Sequence, residues 1–203
     1  MEIKDRIVQG SDDLFSRYGI KSVTMDDLAV NLGVSKKTIY QHFKDKNELV
    51  LEVLKVHMQR ERNDLKEIAE SSENAIEEIY KVSEYLKAMF MKTNPTVLFD
   101  LKKYHTEAYE YFQAHKSECI ESSLIANIES GILEGYYRSD FSPKIMARIR
   151  LTAIENSFDL VNFPLGEFDF IEVQIQSFKH FVMGLVTKKG EERFVYYASE
   201  NKN

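Results

Sequence analysis

Apolar residues recur along this chain at three- and four-residue intervals, without the sustained alternation that marks half-buried strands. Ile3, Ile7, Leu14, Phe15 and Tyr18 share the inward side of a helix predicted from about Ile3 to Tyr18. Met25, Leu28, Ala29 and Leu32 form the apolar face of a second, short helix. Thr24 precedes it as an N-cap, and Asp27 puts negative charge in its first turn. Gly33 is able to take the left-handed conformation that stops a helix, and Val34 packs inward after it. Ser35 then caps a third helix whose apolar back is Ile39 and Phe43. Asp45 to Glu48 resembles a capping box. It opens a fourth helix, from about Lys46 to Glu70, with Leu49, Val50, Val53 and Leu54 packed early and a largely charged second half.

Past a break at residues 71–74, the same spacing predicts helices over about 75–92, 95–104, 107–134, 143–162 and 168–188. Pro95 and Pro143 sit at helix starts, and residues 164–167 form a turn. Phe194, Val195, Tyr196 and Tyr197 give the tail enough apolar surface for a short packed helix, while residues 199–203 are polar and expected to be loose. The expected fold class is all-α, with an N-terminal three-helix helix-turn-helix domain, a C-terminal helical bundle and about nine helices in total. The expected domains are residues 1–46 and 47–203.

The third helix carries the most informative chemistry. A helix that enters a DNA groove needs small polar and basic residues at its N-terminal end and an apolar back to dock on its support. Ser35, Lys36, Lys37 and Thr38 supply the first requirement, Ile39 and Phe43 the second. Two adjacent lysines alone would read as an ordinary solvated face; the surrounding pattern favours nucleic acid.

That pattern strongly resembles the TetR family of bacterial transcription regulators. The matching residues are Leu14-Phe15, Tyr18-Gly19, Thr24-Met25, Leu28-Ala29, Gly33-Val34-Ser35, Thr38-Ile39-Tyr40, His42-Phe43, Lys46 and Leu49, ungapped from Leu14 to Leu49. The resemblance implies that Thr24 and Lys46 hold phosphates on either side of the recognition helix. It implies that Ser35, Lys36, Lys37, Thr38, Gln41 and His42 belong to the DNA-facing set, with Tyr40 on a phosphate or a thymine methyl. Gln41 occupies a variable slot and is a candidate reader of adenine. Gly10 and Ser11 stand where the family usually has alanine, and Lys37 where glycine is frequent.

Net charge is −6, from 27 basic and 33 acidic residues. Residues 1–50 carry eight of each, so the negative excess lies entirely in the remainder. Four lysines and one acid fall between Ser35 and Lys46, which focuses positive charge on one short surface. A single cysteine, Cys119, excludes an internal disulfide. The N-terminal residues form no apolar signal region, and no stretch approaches a membrane span. A soluble, cytoplasmic protein is expected.

Enzyme motifs are missing: there is no Gly-rich phosphate loop, no Gly-x-Ser-x-Gly elbow and no His-Glu-x-x-His pair. His115, Glu118 and Cys119 have helical spacing that could converge on a metal, but such trios are common by chance. His115 and Glu118 are expected to be exposed and Cys119 to be core. No catalytic residue, metal or cofactor is expected. A helical protein-interaction module with a vestigial DNA-binding head is the competing reading, and the intact Lys36-to-His42 segment argues against such decay.

Ile171, Ile175, Phe178, Val182 and Leu185 follow a heptad-like 4-3-4-3 spacing. Together with Ile149 and Ala153 on the preceding helix they form the expected homodimer interface; the alternative is burial within one chain. The resemblance implies dimerisation through the last two long helices, and hence a palindromic double-stranded DNA operator. It also implies a repressor released by a small-molecule effector bound in the helical body. Tyr85, Met89, Phe99, Tyr104, His105, Phe112 and Glu155 are the expected pocket lining, since tyrosines join apolar area to a polar tip. Glu155 sits in apolar surroundings, where an unpaired carboxylate is costly. A cationic ligand, a partner arginine or water would each satisfy it.

Overall fold

The structure, a computed structural model, describes residues 2–200, so the last three residues of the tail expected to be loose lie outside it. The elements are α1 (Ile3–Tyr18), α2 (Met25–Leu32), α3 (Lys36–His42), α4 (Lys46–Glu70), α5 (Ala75–Phe90), α6 (Val97–Tyr104), α7 (Thr106–His115), a π-helical stretch (Lys116–Ile120), α8 (Glu121–Leu133), α9 (Pro143–Asn156), α10 (Phe170–Leu185) and α11 (Lys188–Glu200). The fold is all-α, as the periodicity predicts. Among the described residues the only sheet-like pairing is an isolated antiparallel bridge between Tyr137 and Val186. Both ends of α1 and α4 fall where the pattern places them. The helix expected over 107–134 is interrupted by the π-helical stretch, and the tail forms a full helix, α11. These two features account for the segments beyond the nine expected.

The chain divides into two compact units: residues 1–62 with 92–115, and residues 63–91 with 116–203. The first unit is built on α1, which presents Ile7, Val8 and Phe15 to Leu28, Ile39, Phe43, Leu49, Val50 and Val53. Ile7, Leu28, Ile39 and Leu49 are fully buried. Two glycines permit this packing. A Cβ on Gly10 would lie 2.1 Å from Leu32 Cδ2, so the bare backbone lets α2 approach α1. Gly19 ends α1 at φ 84°, a conformation that other residues rarely adopt. The turn that follows is held by buried Asp100, whose carboxylate accepts the Lys21 N–H at 2.8 Å. Tyr18 points outward at 51% exposure, not inward as its spacing suggests, because α1 ends there and offers it no further partner helix.

In the second unit Ala75, Ile76, Tyr80, Ile128, Tyr137, Leu185 and Tyr197 form the core. A buried polar network joins three elements: Asn127 Nδ2 donates to Ala75 O at 3.0 Å, and the Tyr137 hydroxyl donates to Asn127 Oδ1 at 3.1 Å. Burial pushes the Tyr137 phenol well above its usual range, so it stays a neutral donor. Tyr137 also packs on Gly131, where a Cβ would come within 2.2 Å of its ring. Tyr197 of α11 stacks on Tyr80 of α5, with ring centroids 6.2 Å apart, and accepts from Asn74 Nδ2 at 2.9 Å. Lys189 Nζ also donates to Glu134 O at 2.9 Å and Arg193 pairs with Glu73 at 3.8 Å, so aromatic packing and polar contacts together tie α11 down.

Candidate nucleic-acid interface

Three local devices fix the geometry of α2 and α3. Thr24 caps α2 with a complete capping box: its side chain accepts the Asp27 N–H while the Asp27 carboxylate accepts from the Thr24 backbone. The Thr24 hydroxyl also donates to Asp27 Oδ2 at 2.6 Å. These bonds hold the Asp27 carboxyl below the usual carboxylate range. Gly33 closes α2 in the left-handed region, at φ 62° and ψ 38°, and Val34 N–H returns to Ala29 O at 3.0 Å. A Cβ on Gly33 would meet nothing within 4 Å, so conformation rather than space demands glycine there. Ser35 caps α3 by accepting the Thr38 N–H at 3.0 Å.

The outer edge of α3 is open. Ser35, Lys36, Lys37, Tyr40 and Gln41 are exposed, and Thr38 and His42 are half-buried. Ile39 at 0% and Phe43 at 2% exposure anchor the opposite side in the core. Lys36 Nζ pairs with Asp26 Oδ2 at 2.9 Å, which raises the pKa of Lys36. Both groups are well solvated, so the pair holds Lys36 weakly and a phosphate would compete with Asp26. Among the described residues Lys37 has no ion-pair partner.

The two residues expected to hold phosphates from the flanks are otherwise engaged. Lys46 turns inward: its ammonium donates to Ile20 O and Val23 O, each at 2.6 Å, and lies 5.8 Å from the Phe15 ring centre. Burial lowers its pKa, and Asp100 and Asp27 partly offset that. Lys46 thus ties the turn before α2 to the start of α4, with one N–H left over. The Thr24 hydroxyl proton is committed to Asp27. Asp45 caps α4 by accepting the Glu48 N–H at 3.0 Å, as half of the expected capping box. Glu48, however, reaches the Lys44 N–H rather than that of Asp45.

The residues expected to line a pocket fall in both units, four in the first and three in the second. A cavity of about 190 Å³ lies in the second unit among α5, α9, α10 and α11, lined by residues that include Tyr80, Phe90, Arg150, Gln174 and Phe178. None of Tyr85, Met89, Phe99, Tyr104, His105, Phe112 or Glu155 lines it. Tyr85 instead donates to Asp64 Oδ2 at 3.1 Å. His105 is buried in the first unit, 2.7 Å from Asn47 Oδ1, and burial lowers its pKa. Phe112 packs on that unit's core, while Phe99 and Tyr104 are exposed at 48% and 39%. Glu155 pairs with Lys116 at 2.6 Å, so a basic side chain of the chain itself satisfies it. The signal that could have found this cavity is the stripe of Tyr80, Ser83, Glu84 and Lys87 along α5, one residue out of phase with Tyr85. Arg150 in an apolar stretch of α9 was the second clue.

The heptad seam splits. Ile171, Ile175 and Phe178 line the cavity. Val182 and Leu185, at 0% and 1% exposure, are buried within the unit and are unavailable to a partner, which corrects their assignment to the interface. Ile149 is exposed at 51%, Ile175 at 38%, and Ala153 is half-buried. His115 is buried at 5%, beside Arg62 with Nη2 to Nδ1 at 3.5 Å, rather than exposed. The π-helical stretch removes the α-helical register between it and Glu118 and Cys119. Glu118 is exposed as expected, and Cys119 is half-buried rather than core.

Comparison with known proteins gives this geometry a context. Residues 7–53 match the family described as "Bacterial regulatory proteins, tetR family", a span from α1 into α4. The chain is 35% identical over 69 residues to the HTH-type transcriptional regulator YerO of Bacillus subtilis, covering 34% of this chain and 24% of that protein. It is 29% identical over 144 residues to YvaF of the same organism, covering 65% of this chain and 75% of that regulator. The match therefore spans about a quarter of YerO's length. A TetR-family regulator from Agrobacterium tumefaciens has the same fold: TM-score 0.76 at 16% identity, over 91% of this chain and 97% of that one. These relatives are named as regulators, not enzymes. Residues 7–53 thus carry the helix-turn-helix of the TetR family of bacterial transcription regulators, and the chain shares the fold of a regulator of that family along most of its length.

Proposed function

We propose that this protein is a sequence-specific DNA-binding regulator, a dimeric repressor that a small-molecule effector releases from a palindromic operator. The observation that carries the reading is the open outer edge of α3: Lys36, Lys37, Tyr40 and Gln41 exposed, with Ile39 and Phe43 buried behind them. Such an edge suits insertion into a major groove, with the lysines on phosphates and Gln41 on a base. Among the described residues no helix is long and apolar enough to cross a membrane, which is compatible with the cytoplasmic site this function needs.

Apolar residues left outside on the second unit support a dimer. Ile145 and Ile149 stand one turn apart on α9, 58% and 51% exposed, and neither has a place in the chain's own core. A two-fold pair of chains would carry two recognition helices, one for each half-site of a palindrome. The cavity among α5, α9, α10 and α11 is the site we assign to the effector. An effector that binds the DNA-incompetent state better must weaken operator affinity by the same coupling, typically about 1–3 kcal/mol.

Mobility-shift titration with duplexes from the region flanking its own gene tests the reading. Binding should weaken steeply and linearly in log affinity against log salt. Joint replacement of Lys36, Thr38 and Tyr40 by alanine should abolish it; undiminished affinity in that variant would overturn the recognition-helix assignment.

A further inference from the structure

The cavity of the second unit is lined by a cation that no carboxylate among the described residues neutralises. Arg150 is 5% exposed and lines the cavity. Its Nη1 donates to Ser177 Oγ at 3.3 Å, and its guanidinium carbon lies 5.3 Å from the Phe178 ring centre and 6.0 Å from that of Phe181. Burial alone pushes its pKa down to about 10, with no acidic neighbour offsetting it. A guanidinium remains charged at neutral pH even so. Burying an unpaired ion is costly, and two ring faces offset only part of that cost.

Gln174 presents a second unmet demand in the same cavity. It is 4% exposed, and its Nε2 donates to Ser157 Oγ. The Ser157 hydroxyl spends its own proton on Ile154 O at 2.5 Å. Gln174 Oε1 is left buried without a donor. In the flipped amide Oε1 would need the Ser157 proton, which would then be lost to Ile154 O. At the mouth, exposed Lys87 and Lys179 outnumber Glu84, which already faces Lys87 at 4.0 Å. The walls are largely apolar and rich in rings, with Phe90, Phe178 and Phe194 among them. The volume of about 190 Å³ suits one ring and its substituents, since a cavity of about 150 Å³ accepts benzene.

We propose that this cavity binds a small aromatic carboxylate bearing a ring hydroxyl, with Arg150 as counter-ion for the carboxylate and the Gln174 carbonyl accepting from the hydroxyl. The proposal deepens the effector reading, and rests on it only for its consequence at the operator. A planar carboxylate satisfies the guanidinium fork bidentately, and the ring fills the apolar space. A hydroxyl supplies the donor that Gln174 Oε1 lacks.

Calorimetric titration of the full chain with 3- and 4-hydroxybenzoate, benzoate and the matching hydroxybenzamides tests this. At least one hydroxybenzoate should bind at least tenfold more tightly than its amide. Arg150→Met should cut acid affinity at least tenfold while leaving the free protein folded with a higher Tm, because an unpaired buried charge has gone. Gln174→Leu should erase the preference for hydroxybenzoate over benzoate. If Arg150→Met does not fold, Arg150→Lys, which keeps charge but loses the planar fork, should bind the acid at least fivefold more weakly with amide binding unchanged. No heat from any acid at millimolar concentration, or equal affinity for acid and amide, overturns the assignment. The two readings separate in a mobility shift with added acid. DNA bound by a protein that takes no acid sinks only the ligand site. Acid bound without any change in operator affinity sinks only the effector role.

Discussion

His57 of α4 grips Asp12 of α1: its Nδ1 stands 3.1 Å from Oδ1 and 3.3 Å from Oδ2 of the carboxylate, with Arg60 on the same group at 3.4 Å. The hydrogen bond to Asp12 is the main reason that the His57 pKa is raised, against a desolvation that lowers it. A histidine whose folded pKa lies above its unfolded value binds its proton more tightly when folded. Its stabilisation is complete below the unfolded pKa of about 6.5 and fades as pH rises through the folded value. The first unit should therefore lose Tm on going from pH 6 upward into the alkaline side of neutrality. His57→Gln, which keeps a hydrogen bond but cannot titrate, should flatten that slope in thermal melts followed across pH. A slope unchanged in the variant would remove His57 as its source.

Lys37 and Lys46 separate contact from scaffold. Lys37 is exposed on the outer edge of α3, whereas Lys46 spends two N–H groups on the carbonyls of Ile20 and Val23. Lys37→Ala should leave Tm unchanged, weaken binding to all duplexes alike and reduce the salt slope by about one. Lys46→Met strips two partly buried carbonyls of their donor and should cost about 1–3 kcal/mol of stability in denaturant titration. If Lys46→Met melts like the parent but loses a unit of salt slope, its ammonium swings out to a phosphate on DNA.

The difference between those lysines also marks what periodicity and motif reveal. Caps and apolar spacing fixed α1, α2, α3 and α4 closely, because Thr24, Gly33, Ser35 and Asp45 act through bonds a few residues away. Lys46 looked like a phosphate ligand since nothing local says where a flexible four-carbon stem points; Ile20 and Val23 are more than 20 residues distant. The seam from Ile171 to Leu185 was visible as an apolar stripe, but a stripe does not say what covers it. Here the chain's own second unit covers Val182 and Leu185, and a cavity takes Ile171, Ile175 and Phe178. The interruption at Lys116–Ile120 left no mark in a sequence of ordinary helix formers. Arg150 was not singled out from the sequence, and its want of an acidic partner among the described residues required the fold.

Ser11 offers a test of packing without function. It is fully buried in α1, and its Oγ has no hydrogen-bond partner. Replacing it by alanine removes an unsatisfied polar atom and improves helix propensity. Ser11→Ala should raise stability by about 1 kcal/mol or more in denaturant titration, with DNA affinity unchanged. A loss of stability would mean that the hydroxyl has a partner in solution.

Ile149 and Leu185 lie on the two helices expected to pair, and they should respond in opposite ways. Ile149 is half-exposed on α9, with no core of its own chain to fill. Placing a carboxylate there should leave a lone chain intact, yet desolvating that charge in a dimer is costly. Ile149→Glu should shift sedimentation to the monomer, keep helix content, and lose the cooperative two-half-site shift on DNA. Leu185 is 1% exposed in the core of its own unit. Leu185→Ala opens a cavity there and should cost about 2–5 kcal/mol of stability. Because the cost falls within one chain, its dimer should dissociate only as the chain unfolds. A parent protein monomeric at micromolar concentration, or an Ile149→Glu variant that stays dimeric, would move the interface away from α9.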